Sequence, residues 1–248
     1  MMENCSKDNL RANITTLIST VFASKDIIQI LSDGSSAIGD ASNAYSLVRG
    51  IYRTVEDHKI RAFVTNLHEA VYSDQNRTKV DSQQIVEYLS NRRTEQIIAE
   101  IIDASLHSHS LQCSALLGTF AGGILANQKE IDYQDNVIIS ALHVMNDDDL
   151  HNFFALYTMI REHPNIGSEE GAQCRRISDF SKDVENAGVR RFDMEMTVEK
   201  LKNVQAIGYD IGGTGGLGHS WGAFVFNENS ERLFELLVSA ISKGIIQI

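Results

Sequence analysis

The chain has 248 residues, 43% hydrophobic and 22% charged, enough to bury a sizeable core and to split into two units. A formal net charge of −11 argues against a protein whose main partner is a polyanion, because phosphate contacts need clustered Lys and Arg. Its single proline, Pro164, favours long uninterrupted helices, and sparse aromatics at 7% argue against an all-β or doubly wound fold.

Three well-separated cysteines, Cys5, Cys113 and Cys174, read as reduced thiols rather than a disulfide framework. The first residues lack a cationic region followed by an apolar run, so no signal peptide is expected and the location inferred is cytoplasmic.

Residues 9–31 place Leu10, Ile14, Leu17, Ile18 and Val21 at helical spacing, which predicts an amphipathic helix. A turn at 32–36 leads to a helix of small side chains over 37–55. Over 59–72, Ile60, Phe63, Val64, Leu67 and Val71 trace one helical face. Asp81 or Ser82 then caps a long helix that bends near 91–94.

The stretch from Thr94 to Leu125 is the most apolar and least charged in the chain. Ile97, Ile98, Ile101, Ile102 and Leu106 follow helical spacing, and after His107-Ser108-His109-Ser110 a second apolar run begins. Two helices folded against each other are expected, the second buried nearly all round. Residues 111–126 are too few for a membrane span, which takes about 20 apolar residues.

Asp132 or Gln134 starts the next helix, with Val137, Ile138, Ala141, Leu142 and Met145 inward. Asn146 to Asp149 reads as a cap, since carboxylates in a first turn face the positive end of the helix dipole. That helix runs through Phe153, Phe154, Leu156, Tyr157 and Ile160 and stops before Pro164. The polar, glycine-containing stretch 164–173 marks the boundary between a helical bundle, 1–163, and a smaller module, 164–248.

Within that module the expected order is a weak helix over 170–186, a short helix at 197–204 and an extended run at 206–211. A glycine-rich loop at 212–218, a strand at 221–226 and a closing helix at 228–242 capped by Asn227 or Asn229 complete it. This order resembles the second half of a winged-helix domain, with 201–207 matching the passage from recognition helix into wing. The chain is also similar to uncharacterised bacterial proteins that pair an α-helical body with a winged-helix-like tail. The fold expected is mainly α: a multi-helix bundle followed by a small winged-helix-like α/β-hairpin module.

Motifs that could carry chemistry do not assemble. Tyr209-Asp210-Ile211-Gly212-Gly213-Thr214 resembles the first phosphate loop of sugar kinases of the actin and hexokinase type, yet only 34 residues follow Thr214, too few for the rest of a nucleotide site. Gly213 to Gly218 satisfies G-x-G-x-x-G, but the strand-like run after it lacks the helix that a dinucleotide fingerprint needs. A hairpin tip explains both.

His107, His109 and Cys113 lack a second ligand cluster, and Asp147, Asp148 and Asp149 point in different directions on a helix. No catalytic residue, metal ligand or cofactor is therefore assigned.

The candidate contact residues are Arg190, Arg191, Lys200 and Lys202, flanking and within the expected recognition helix. As a DNA-binding face they would have to lie together on one exposed surface. Residues 164–248 carry more carboxylates than cations, which disfavours a duplex and favours protein docking. The reading is a non-enzymatic protein-interaction or regulatory protein with a protein partner. The resemblance to bacterial helical proteins implies an accessory role in a stress or phage-defence system. The alternatives are a winged-helix transcriptional regulator and a membrane-active helical toxin.

Overall fold

A computed structural model describes residues 56–72, 87–88, 91–164, 166, 174–209 and 222–248. The helices expected over 9–31 and 37–55, the cap at 81–82 and the glycine-rich loop 212–218 lie outside the described residues. Among the described residues the protein is mainly helical, with eight α-helices and a sheet of two two-residue strands. None of these helices is long and apolar enough to cross a membrane.

The chain divides into two compact units, one of residues 1–107 and 114–131, the other of 108–113 and 132–248. The composition step at 163/164 thus falls inside the second unit. Its physical reason is the helix preceding Pro164, which is the surface on which the C-terminal helices pack.

In the first unit, α1 (Glu56–Tyr72) buries Ile60, Phe63, Val64, Leu67 and Val71, the face read from their spacing. It packs on α2 (Arg92–His107), which buries Ile97, Ile98, Ile101 and Ala104. Lys59 Nζ donates to the Leu106 carbonyl at 3.3 Å, satisfying one of the acceptors that every helix end leaves open.

The third helix, α3 (Leu111–Asn127), belongs to this unit from Ser114 onward. Leu116, Leu117, Ala121, Ile124 and Leu125 on it are buried, as its all-round apolar character requires. Gly118 and Gly122 face α1 so closely that a β-carbon would lie 2.2 Å from the Phe63 carbonyl oxygen at the first and 2.6 Å from that of Leu67 at the second. The expected pairing of 94–106 with 111–125 misses this close backbone approach, which is between α3 and α1. The Gly-x-x-x-Gly spacing that permits it is visible in the sequence.

The second unit contains α4 (Tyr133–Val144) and α5 (Asp147–Glu162), each opened by a reciprocal capping box. Asp132 caps the first with Asp135, and Asn146 caps the second with Asp149. Next come β1 (Arg175–Arg176), a 3-10 turn (Ile177–Phe180), α6 (Ser181–Asn186) and α7 (Arg191–Asn203). Strand β2 (Ala223–Phe224) and α8 (Glu228–Ser242), capped by Asn227, complete it. Helix α5 packs on α7 and α8, and α8 also packs on α4. Phe153, Leu156, Ile177, Val184, Val198, Leu201, Phe224, Leu233 and Leu237 form the core.

Three expected elements differ. Of the weak helix expected over 170–186, the described residues 174–186 form a strand, a 3-10 turn and a short helix, because Arg175 and Arg176 pair antiparallel with Phe224 and Ala223. Helix α7 begins at Arg191, six positions before the expected start at Thr197, since Met194, Val198 and Leu201 already share one buried face. Of the extended run expected over 206–211, the described residues 206–209 hold one bridge, between Gly208 and Val225. There the chain is still closing α7: Gln205 adopts φ +63°, its N–H reaches the Lys202 carbonyl, and the Ala206 N–H reaches that of Leu201 at 2.9 Å. This is a Schellman closure, and it uses the donors a strand would need.

Candidate functional site

Helix α7 carries the residues that sequence singles out, and each is neutralised by a carboxylate. Arg190 and Arg191 sit at the positive end of the helix dipole, an unfavourable place for a cation. Arg190 there makes a bidentate pair with Asp193 at 2.6 and 2.9 Å, and Arg191 reaches Glu195 at 2.8 Å. Lys200 Nζ lies 2.6 Å from Asp149 on α5. Lys202 is buried, bonded to Glu199 at 2.8 Å and 4.8 Å above the Tyr209 ring.

The four therefore do not form one exposed basic face. Lys202 serves the interior: Glu199 accepts from it and from the Gly222 N–H at 2.9 Å. Gly222 adopts φ +70°, and a β-carbon there would lie 3.1 Å from Glu195 Cγ, a position suited to glycine.

Asp149 is the hub of a buried polar network joining α5 to α7. Its carboxylate accepts from Thr197 Oγ1 at 2.8 Å, from Lys200 at 2.6 Å and from the Asn146 N–H at 3.0 Å. Asn152 donates to the same threonine at 3.1 Å. A carboxylate so fully engaged has its lone pairs occupied by structure rather than by a reactant.

The three consecutive aspartates diverge: Asp149 points inward, Asp147 accepts from the Ser110 hydroxyl, and Asp148 is exposed. Among the described residues no group of three or more His, Cys, Asp or Glu side chains is arranged to hold a metal. Burial pushes the Cys113 thiol up to about 12, and Asp147 and Asp149 reinforce the shift against a hydrogen bond from Ser110. His107 bonds its own helix at Asp103, and His109 is exposed.

What sequence misses is a column of rings between α5 and α8. Phe154 stacks on Phe234 at 5.3 Å, Phe234 on Tyr157 at 4.2 Å, and Tyr157 on Phe226 at 4.6 Å. The spacing of 153, 154 and 157 shows aromatics on α5, yet their partners at 226 and 234 are distant in sequence and could not be matched to them.

Two depressions flank the column. A groove of about 510 Å³ has Phe154, Ala155, Met159, Ile166, Ala187 and Ile248 as its apolar lining, with Glu162, Asp183, His151 and His163 at its polar positions. The Thr158 Oγ1 in this groove is buried without a hydrogen-bond partner among the described residues. A smaller cleft of about 340 Å³ lies along Tyr157, Ile160, Phe226 and Phe234, with Arg161, Glu231 and Glu235 beside it. Burial pushes the Tyr157 phenol up, Glu231 and Glu235 add to the shift, and Arg161 opposes it.

Comparison with known proteins gives no match: no family model, no curated protein and no solved structure is significantly similar to the chain.

Proposed function

We propose that this chain is a non-enzymatic protein-interaction or regulatory protein that receives a partner on the outer face of α5. The observation that carries this reading is the groove of about 510 Å³ whose apolar lining is left uncovered among the described residues of its unit. The resemblance to bacterial helical proteins extends the reading to an accessory role in a stress or phage-defence system. The succession of α7, the Gly208–Val225 bridge, β2 and α8 supports a winged-helix-like reading of 164–248, used for protein docking. Duplex binding draws less support, since the α7 cations are already paired with carboxylates.

A photoreactive residue at Met159, with Glu100 on α2 as the control position, tests the interaction reading in living cells. A discrete cross-linked partner from Met159 and none from Glu100 is expected. Equal, diffuse labelling from both positions would remove the reading. A mobility shift with duplex DNA that weakens steeply with salt would favour the transcriptional regulator instead.

A further inference from the structure

The charges around the ring column differ in kind from those on α7. Asp149, Asp193, Glu195 and Glu199 each hold a cation of the same unit. Glu162, Asp183, Glu231 and Glu235, which line the groove and the cleft, form no ion pair among the described residues. Among the described residues lining the two depressions, Arg161 is the one full cation, and it lies 6.0 Å over the Phe234 ring. His151, His163 and Tyr157 are the remaining titratable side chains among the described residues that line the two depressions.

Glu231 and Glu235 stand one turn apart on α8, a like-charge arrangement that costs a helix stability when nothing offsets it. The two depressions are neighbours, because Phe154 lines the groove, Phe234 lines the cleft, and the two rings stack.

Resting on the interaction reading above, we infer that the segment seated on this face is a basic amphipathic stretch of a partner protein. Its apolar side chains enter the groove along Phe154, Met159 and Ile248. Its Lys or Arg side chains reach the unpaired carboxylates, Glu231 and Glu235 foremost, with their aliphatic stems along the rings. An extended ligand suits the surface better than a free amine, since the apolar and acidic parts are neighbouring and both must be covered. Thr158 Oγ1 supplies a hydrogen-bonding group within the groove.

The test uses an acetylated amphipathic peptide of leucine and lysine, its counterpart with every lysine replaced by glutamate, and free agmatine. The lysine peptide is expected to bind saturably and to shift the side-chain resonances of Phe154, Met159 and Phe234. The glutamate peptide should bind at least tenfold more weakly. Glu231→Gln with Glu235→Gln should weaken the lysine peptide about three- to tenfold, as exposed ion pairs do. Both positions are exposed and the change relieves a like-charge pair, so the melting temperature should not fall. Met159→Lys, which places a like charge in the groove, should reduce binding further.

Equal affinity for the two peptides, shifts spread over other surfaces, saturable binding of agmatine alone, or an unchanged affinity in the double glutamine variant would each overturn the inference. So would self-association through this face, which would make a second copy the occupant. If cross-links form at Met159 while the lysine peptide does not bind, this inference falls and the interaction reading stands. If the peptide binds as described and no partner cross-links, the face keeps its preference for a basic amphipathic segment, while the interaction reading, and with it a partner protein as the source, falls.

Discussion

Lys200 Nζ lies 2.6 Å from Asp149 Oδ2, and this contact fastens α7 to the first turn of α5. The aspartate is 5% exposed and also holds Thr197 and its own capping box, whereas the lysine is 36% exposed. The two ends of the pair are therefore unequal. Asp149→Ala removes the cap partner together with the acceptor of Thr197 and of the half-exposed Lys200, with an expected loss of about 2–4 kcal/mol from the cap and the charge-assisted hydrogen bonds. Lys200→Met leaves two donors on Asp149 and should cost about 1–2 kcal/mol. Denaturant titration of both variants measures the difference, and equal losses would contradict the hub role given to Asp149.

Gly118→Ala gives a second expectation. Alanine favours a helix interior by about 1 kcal/mol over glycine. Here the added carbon meets the Phe63 backbone at 2.2 Å, and a backbone cannot swing aside as a side chain can. Overpacking of about 1–3 kcal/mol should win, so the variant melts lower than the parent. Gly123→Ala is the control, because nothing lies within 4 Å of its added carbon, and it should be neutral or stabilising. A stabilised Gly118→Ala protein would show that α1 and α3 are not in this close contact.

Cys113 should resist alkylation in the folded protein. With its thiol pushed up to about 12, the reactive thiolate is a fraction of about 10⁻⁴ at pH 8. Burial then restricts access as well. Site-resolved mass spectrometry with iodoacetamide should find its labelling following the unfolding of its surroundings. Rapid labelling in native buffer would mean that the thiol is open to solvent.

His68 gives the expected pH dependence. Burial lowers its proton affinity in the folded state, with Glu69 acting weakly the other way. The unfolded chain binds that proton more readily, so stability rises with pH through the interval below the ordinary value of 6.5 and is lost as the solution is acidified through it. His68→Gln should flatten the slope of stability against pH below the ordinary value of 6.5 relative to the parent. An unchanged slope would show that other groups carry the effect.

The local signals were legible and the long-range ones were not. Asp132, Asn146 and Asn227 can be named as caps from sequence because a cap needs only a short side chain and the next three residues. The apolar face of α1 and the buried character of α3 follow from helical periodicity for the same reason. By contrast, Lys200 and Lys202 are two residues apart on α7, yet one reaches Asp149 and the other turns inward to Glu199, a choice made by neighbours far away in sequence. The ring column fails to be legible for that reason too: Tyr157 and Phe226 meet across a separation no periodicity encodes. The extended run expected from 206 loses its first residues to the helix closure at Gln205, a left-handed turn at a non-glycine residue that no spacing announces.

Arg232 on α8 reaches back to Asp135 at 2.6 Å and to Gln134 at 2.6 Å, gripping the first turn of α4 across nearly a hundred residues. During synthesis, therefore, the earliest helix of this unit leaves the ribosome long before its clasp exists. Phe153, Leu156 and the other residues awaiting α8 must stay wet, or be shielded by a chaperone, until Arg232 and Leu237 have emerged. The second unit should consequently acquire protease resistance in a single late step of translation.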